Sequence, residues 1–192
     1  MAKRPFKFPK ILVESAAIFF SVLLAFVVEQ WREDLNERRE AEATLNLVRA
    51  ELTQNLAELE AIAPLRGDML RGYEEAIMAL KNENRFPANL PEFRSPDITS
   101  IAYELATDSG AVTGVAPEDL LTVARAYEAL EEVRRNDTFL NERNAQIRFN
   151  DGEQYLSGFI YYLNRANINE PIAMGHVRAA IETLDDRDGR RD

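Results

Sequence analysis

The chain has 192 residues and a net charge of −10, with no cysteine and a single histidine. Those counts exclude disulfides, thiol chemistry and any metal site built from several histidines and cysteines. Residues 32–192 hold 31 acids against 19 bases. A net −12 there argues against nucleic-acid binding through a phosphate-neutralising surface and against attraction to anionic headgroups.

The first element is a membrane segment. Ile11 to Val28 reads ILVESAAIFFSVLLAFVV, 18 residues with one charge, Glu14. About 20 apolar residues span a bilayer core of roughly 30 Å, so the span takes in its flanks as far as Trp31. A basic start before an apolar run also describes a secretory signal peptide. However, Phe26-Val27-Val28-Glu29 offers no small-residue cleavage site. The expectation is an uncleaved transmembrane helix over 11–31, preceded by a basic tail over 1–10. That tail carries Lys3, Arg4, Lys7 and Lys10 and no acid. By the positive-inside rule it is cytoplasmic, which places residues 32–192 in the periplasm and the anchor in a bacterial inner membrane.

Beyond the membrane the pattern is helical throughout. Residues 29–63 are rich in Glu, Arg, Ala and Leu, all good helix formers. Leu45, Val48, Leu52, Leu59 and Ile62 recur at spacings of three, four or seven, which is one helical face. The membrane helix is therefore expected to continue into a long stalk that Pro64 ends or kinks. A second helix is expected with Leu65, Met69, Tyr73, Ile77 and Leu80 inward, then a proline-rich loop over 82–96. Ser95-Pro96-Asp97 has the form of a helix start, with Ile98, Ile101, Ala102 and Leu105 as the buried stripe and Gly110 as the stop. Pro117-Glu118-Asp119 opens a long helix with Leu120, Val123, Ala124, Tyr127, Leu130 and Val133 inward, running towards Ile147. Two more helices are expected, one around Tyr155, Leu156, Phe159, Ile160 and Leu163, the other around Ile172, Val177, Ile181 and Leu184. Residues 187–192 form a polar tail. The fold class is all-α: a transmembrane helix and stalk followed by an irregular antiparallel helical bundle over 32–186.

Few residues suggest a site. Glu14, Ala17, Ser21 and Ala25 share one face of the membrane helix, with small residues of the kind that let two helices approach closely. The rival reading is chance composition, with Glu14 reaching headgroups or Lys10. Trp31 stands where an interfacial aromatic anchor belongs. Tyr155, Phe159 and Tyr162 share a core face, whereas Tyr161 points elsewhere and marks a candidate exposed contact. His176 has no partner pattern for nucleophilic catalysis. The carboxylate clusters Glu74-Glu75, Glu118-Asp119, Glu131-Glu132 and Asp185-Asp186-Asp188 match no calcium loop and read as solvated surface. No catalytic, cofactor or metal site is expected.

The stretch SVLLAFVVEQWRED (21–34), running into a Glu/Arg/Ala-rich helix, resembles a family of small bacterial single-pass membrane proteins of unknown function. Ala102-Tyr103-Glu104 through Ser109-Gly110, with the helix that carries Tyr127, resembles a second part of that family, although Tyr103 stands where a tryptophan is expected. The resemblance implies one N-terminal membrane helix and a helical remainder. The functional expectation is a membrane-anchored module that binds another protein, or a second copy through its membrane helix, without catalysis. The alternative is a periplasmic small-molecule sensor acting through a membrane partner.

Overall fold

The computed structural model describes residues 8–83, 86, 89–146 and 151–189, with side chains described at 13–83, 86, 89–112, 115–143 and 151–187. These residues form helices α1 (Phe8–Glu83), α2 (Ile101–Asp108), α3 (Pro117–Gln146) and α4 (Gly152–Gly189), with a 3-10 turn at Ala111–Gly114. No strand occurs among the described residues. The chain divides into two compact units, Met1–Ala43 and Thr44–Asp192.

In the first unit, Val13, Ile18, Phe19, Phe20, Leu24, Phe26, Val27, Val28 and Trp31 are all exposed. By length and composition this part of α1 is long and apolar enough to cross a membrane. The charges Lys3, Arg4 and Lys7, on which the orientation rests, lie outside the described residues.

The second unit is organised by two buried apolar clusters. One joins Val48, Leu52 and Leu59 of α1 to Val123, Tyr127, Leu130 and Val133 of α3 and to Ala173, Val177 and Leu184 of α4. The other joins Met69, Tyr73 and Ala76 of α1 to Leu140 of α3 and to Leu156, Phe159, Tyr162 and Leu163 of α4. Surface ion pairs record the register. Arg49–Asp185 at 2.5 Å, Glu60–Arg178 at 2.6 Å and Lys81–Glu153 at 2.8 Å set α4 antiparallel to α1. Glu132–Arg165 at 2.6 Å and the Asn136 amide donating to the Tyr162 carbonyl at 3.3 Å do the same for α3 and α4. Exposed pairs of this kind are worth at most about 1 kcal/mol each, so the clusters carry the stability.

Several expectations are corrected. Pro64 neither ends α1 nor starts a new helix, and Pro171 lies inside α4, which is one helix where two were expected. A proline removes the N–H that would bond the carbonyl four residues earlier, at about 3 kcal/mol or more. Here Pro64 and Glu60, and likewise Pro171 and Asn167, are all exposed, so water reaches the orphaned carbonyls. Buried residues on both sides of each proline hold the helix through it: Ile62 with Met69, and Ala166 with Ala173. Leu65 is consequently exposed, and so is Ile172, whose expected inward place belongs to Ala173. Helix α4 also runs through residues 187–189 of the expected tail; residues 190–192, like Ile147, lie outside the described residues.

Helix α2 starts at Ile101 and not at Ser95. Ile101 and Leu105, expected inside, are 74% and 51% exposed, and Ala106 is the buried residue of that helix. The reason lies in the segment before it. Residues 89–100 are non-helical, because partners from other helices occupy their polar groups. Gly110, with φ of 74°, is in the left-handed region where α2 ends, a conformation glycine adopts at no steric cost.

Candidate functional site

The segment 89–100 lies on the second unit as a strap, and buried polar side chains of α1 hold it. Asn55, fully buried, donates from its amide to the Thr99 carbonyl at 2.8 Å and accepts from the Thr99 N–H at 3.0 Å. Glu51 accepts from the Thr99 hydroxyl at 3.2 Å, the Ala102 N–H at 2.9 Å and the Tyr103 N–H at 3.4 Å. It thus places a carboxylate at the first turn of α2, where free N–H groups and the helix dipole favour negative charge. A tertiary partner therefore supplies what a local cap would. The Ser100 hydroxyl bonds Glu104 at 2.7 Å and caps no backbone. Glu51 also accepts from the Tyr127 hydroxyl at 2.7 Å, and the Tyr127 ring stacks on Tyr103 at 4.2 Å. Burial, then the bond to Glu51, raises the Tyr127 phenol far above its ordinary pKa.

A second network lies about three turns further along α1. Arg66 and Glu170 are each 1% exposed. The Arg66 guanidinium grips both carboxylate oxygens: Nε donates at 3.1 and 3.0 Å, and Nη2 at 2.5 Å. Its Nη1 donates to the Arg94 carbonyl at 2.8 Å and its Nη2 to the Tyr162 hydroxyl at 3.3 Å, with the guanidinium 5.3 Å from the Tyr162 ring centroid. Tyr162 is hydrogen-bonded in turn to Asp137, which accepts from the Ser95 hydroxyl at 3.1 Å. Burial lifts the Glu170 and Asp137 carboxyls above the usual range, and bonds from Arg66, and from Tyr162 and Ser95, oppose it. The Tyr73 hydroxyl reaches the Pro91 carbonyl at 3.4 Å, and burial pushes its pKa up to about 12. Between them the two networks take up backbone or side-chain polar groups at Pro91, Arg94, Ser95 and Thr99. A non-helical segment packed on a helical core needs this, since a buried backbone group without a partner is costly.

Sequence reasoning placed Tyr73, Tyr127 and Tyr162 in the core but missed Glu51, Asn55, Arg66, Asp137 and Glu170, although a signal exists for three of them. Asn55 stands three positions after Leu52, and Arg66 four after Ile62 and three before Met69, all on one buried stripe. Glu170 stands seven after Leu163 and seven before Val177. A polar residue in register with a buried stripe is a candidate for a satisfied internal network.

The residues singled out from the sequence lie elsewhere. Glu14, Ala17, Ser21, Ala25 and Trp31 are on α1 in the first unit, and all are exposed. The Ser21 hydroxyl bonds the Ala17 carbonyl of its own helix at 2.8 Å. Tyr161 is 46% exposed. Its ring lies 5.6 Å from Phe139, and its hydroxyl accepts from Arg165 at 3.3 Å. Phe159 and Tyr162 are buried and Tyr155 is half-buried. His176 is exposed on the groove between α3 and α4. Phe159 and Tyr162 share the second buried cluster, with Tyr155 packed against it, and the structure brings none of the other residues named here into that cluster. Among the described residues no group of three His, Asp or Glu side chains is arranged to hold a metal ion. No family model matches the chain, and no curated protein or solved structure matches it.

Proposed function

We propose that the chain is a single-pass protein of a bacterial inner membrane and that residues 44–192 form a non-catalytic module that binds another protein. In this reading residues 11–31 cross the bilayer, the N-terminus is cytoplasmic, and residues 32–192 are periplasmic, with 32–186 folded as an irregular antiparallel bundle. The observation that carries it is the first unit. Every large apolar side chain from Val13 to Trp31 faces outward, with no other part of the unit to cover it. Lipid or a partner's membrane helix is the cover that such a surface requires. Ala17, Ser21 and Ala25 are the face on which a second helix would lie.

Two measurements in cells test it. A reporter active only outside the cytoplasm, fused after Asp192, is expected to be active, and activity of a cytoplasm-only reporter at that site would reverse the orientation. A photo-crosslinker placed at Ser21 is expected to give protein adducts in higher yield than one at Leu24. Equal yields would reduce the anchor to an anchor and leave recognition to residues 32–192.

A further inference from the structure

The network around Arg66 holds two carboxylates and one guanidinium. Arg66 and Glu170 engage each other through two carboxylate oxygens, and that pair is neutral. Asp137, half-buried on α3, is the carboxylate left over. Two hydroxyls face it, Ser95 of the strap at 3.1 Å and Tyr162 of α4. The charged groups that act on it are Arg66 of α1, which already grips Glu170, and Glu170 of α4. On α3 itself, Arg134 is taken by Glu131. Ionised, Asp137 therefore leaves the network with one uncompensated negative charge, which is costly away from water. A proton there removes the charge and breaks no contact. The acid form offers an O–H donor and keeps acceptor capacity, and the Ser95 hydroxyl can turn from donating to accepting. Tyr162, whose hydroxyl accepts from Arg66 at 3.3 Å, goes on donating to the other oxygen. Glu170 is the poorer seat for that proton, because both its oxygens accept from Arg66 N–H groups. The same contact controls what the strap covers. Phe93 of the strap packs edge-on against Phe159 and Tyr162, with ring centroids 4.9 and 5.1 Å apart. Lifting residues 93–95 would uncover that aromatic surface.

We propose that Asp137 is a proton-operated latch: protonated, it holds the strap closed over Phe159 and Tyr162 through Ser95, and ionised, it loosens that hold. The sign follows from the burial of the group. Burial raises the Asp137 carboxyl above its ordinary range, against the bonds from Tyr162 and Ser95 and the charge of Arg66. Closure is therefore favoured in full below the ordinary value, and the advantage is lost as pH rises through the raised one. The latch goes beyond the protein-binding reading and stands or falls without it, since it needs neither the membrane nor a second protein.

The test uses the full chain in micelles of a nonionic detergent. The chain has no cysteine, so Asp97→Cys, at an exposed position of the strap, gives one attachment point for a nitroxide spin label. Its electron paramagnetic resonance spectrum separates mobile from immobile label. From about pH 4 to about pH 8 the mobile-to-immobile ratio is expected to rise, by at most about tenfold per pH unit, the limit for one proton. Asp137→Asn, which keeps the shape and offers both a donor and an acceptor, is expected to hold the ratio at its low-pH value throughout. Ser95→Ala, which removes the strap's end of the contact, is expected to raise the ratio at low pH and flatten the profile. The same label at Ala179→Cys, exposed on α4, is expected to show no change. A ratio that is constant or falls as pH rises, the unmodified profile in Asp137→Asn or in Ser95→Ala, or a matching change at Ala179→Cys would overturn the proposal.

Discussion

Arg66 and Glu170 show what one residue pair can carry in this fold. Two charges withdrawn from water lose hydration that only good geometry restores. The two-oxygen grip, the Arg94 carbonyl and the Tyr162 hydroxyl meet that condition. Removing one partner leaves the other buried and uncompensated. Arg66→Met is expected to destabilise the domain by about 3–5 kcal/mol, seen as a lower urea midpoint. The double change Arg66→Met with Glu170→Leu is expected to recover much of that loss, because no buried charge remains. The Arg94 carbonyl and Tyr162 hydroxyl stay without Arg66, so recovery should be incomplete. Tyr73 gives a second test at this scale. Its folded pKa of about 12 lies above the unfolded value of about 10. The native state therefore keeps a proton that the unfolded chain gives up. Its contribution is fully present below about pH 10 and is lost as pH rises through about 12, with a slope of about 1.4 kcal/mol per pH unit for this group. Urea midpoints measured from pH 9 to pH 12 should fall, and fall less steeply in Tyr73→Phe.

Among the elements, the strap is the one that depends on the rest of the molecule. It has no ladder of its own, and its position is fixed by Asn55, Glu51, Arg66, Tyr73 and one glycine. A Cβ at Gly72 would run into the Pro91 ring, which cannot swing aside as a flexible chain end can. Gly72→Ala is expected to lift that part of the strap and cost about 1–3 kcal/mol, with faster proteolysis at residues 89–100 as the direct readout. A change to alanine at Gly67, where a Cβ meets nothing within 4 Å, should be neutral or better and serves as the control. The helices differ in how legible they are. Leu45, Val48, Leu52, Leu59 and Ile62 read as a buried stripe and are buried, because α1 keeps one face inward through that region. Leu65 is misread when Pro64 is treated as a boundary, since the stripe then restarts at the wrong phase, and Ile172 is misread when α4 is divided into two helices. Ile101 and Leu105 are misread for a related reason. The local serine-proline signal points to one helix start, whereas Glu51, some fifty residues earlier, sets another.

For the molecule as a whole, the division between the apolar first segment and the acidic remainder is written in composition. It needs no contact between distant residues, because a bilayer, on the membrane reading proposed above, would test hydrophobicity residue by residue. The consequence is directly measurable. Phe20→Arg puts a charge near the middle of the span, at about 2.5–3.5 kcal/mol on an insertion scale. The fraction of full-length chain that resists alkaline carbonate extraction should fall, whereas Phe20→Leu should leave it unchanged. The sequence by itself also determined the all-helical character, the inward stripe of α1 from Leu45 to Ile62 and the opening of α3 at Pro117, since each depends on neighbours within a turn or two. Only the tertiary structure decided that α1 and α4 pass through their prolines, that residues 89–100 form a strap, and that Asn55, Arg66 and Glu170 are buried. Those outcomes turn on energies exchanged between residues 18 to 104 positions apart. A local rule weighs a proline or a buried charge without its partners, and here the partners decide the sign.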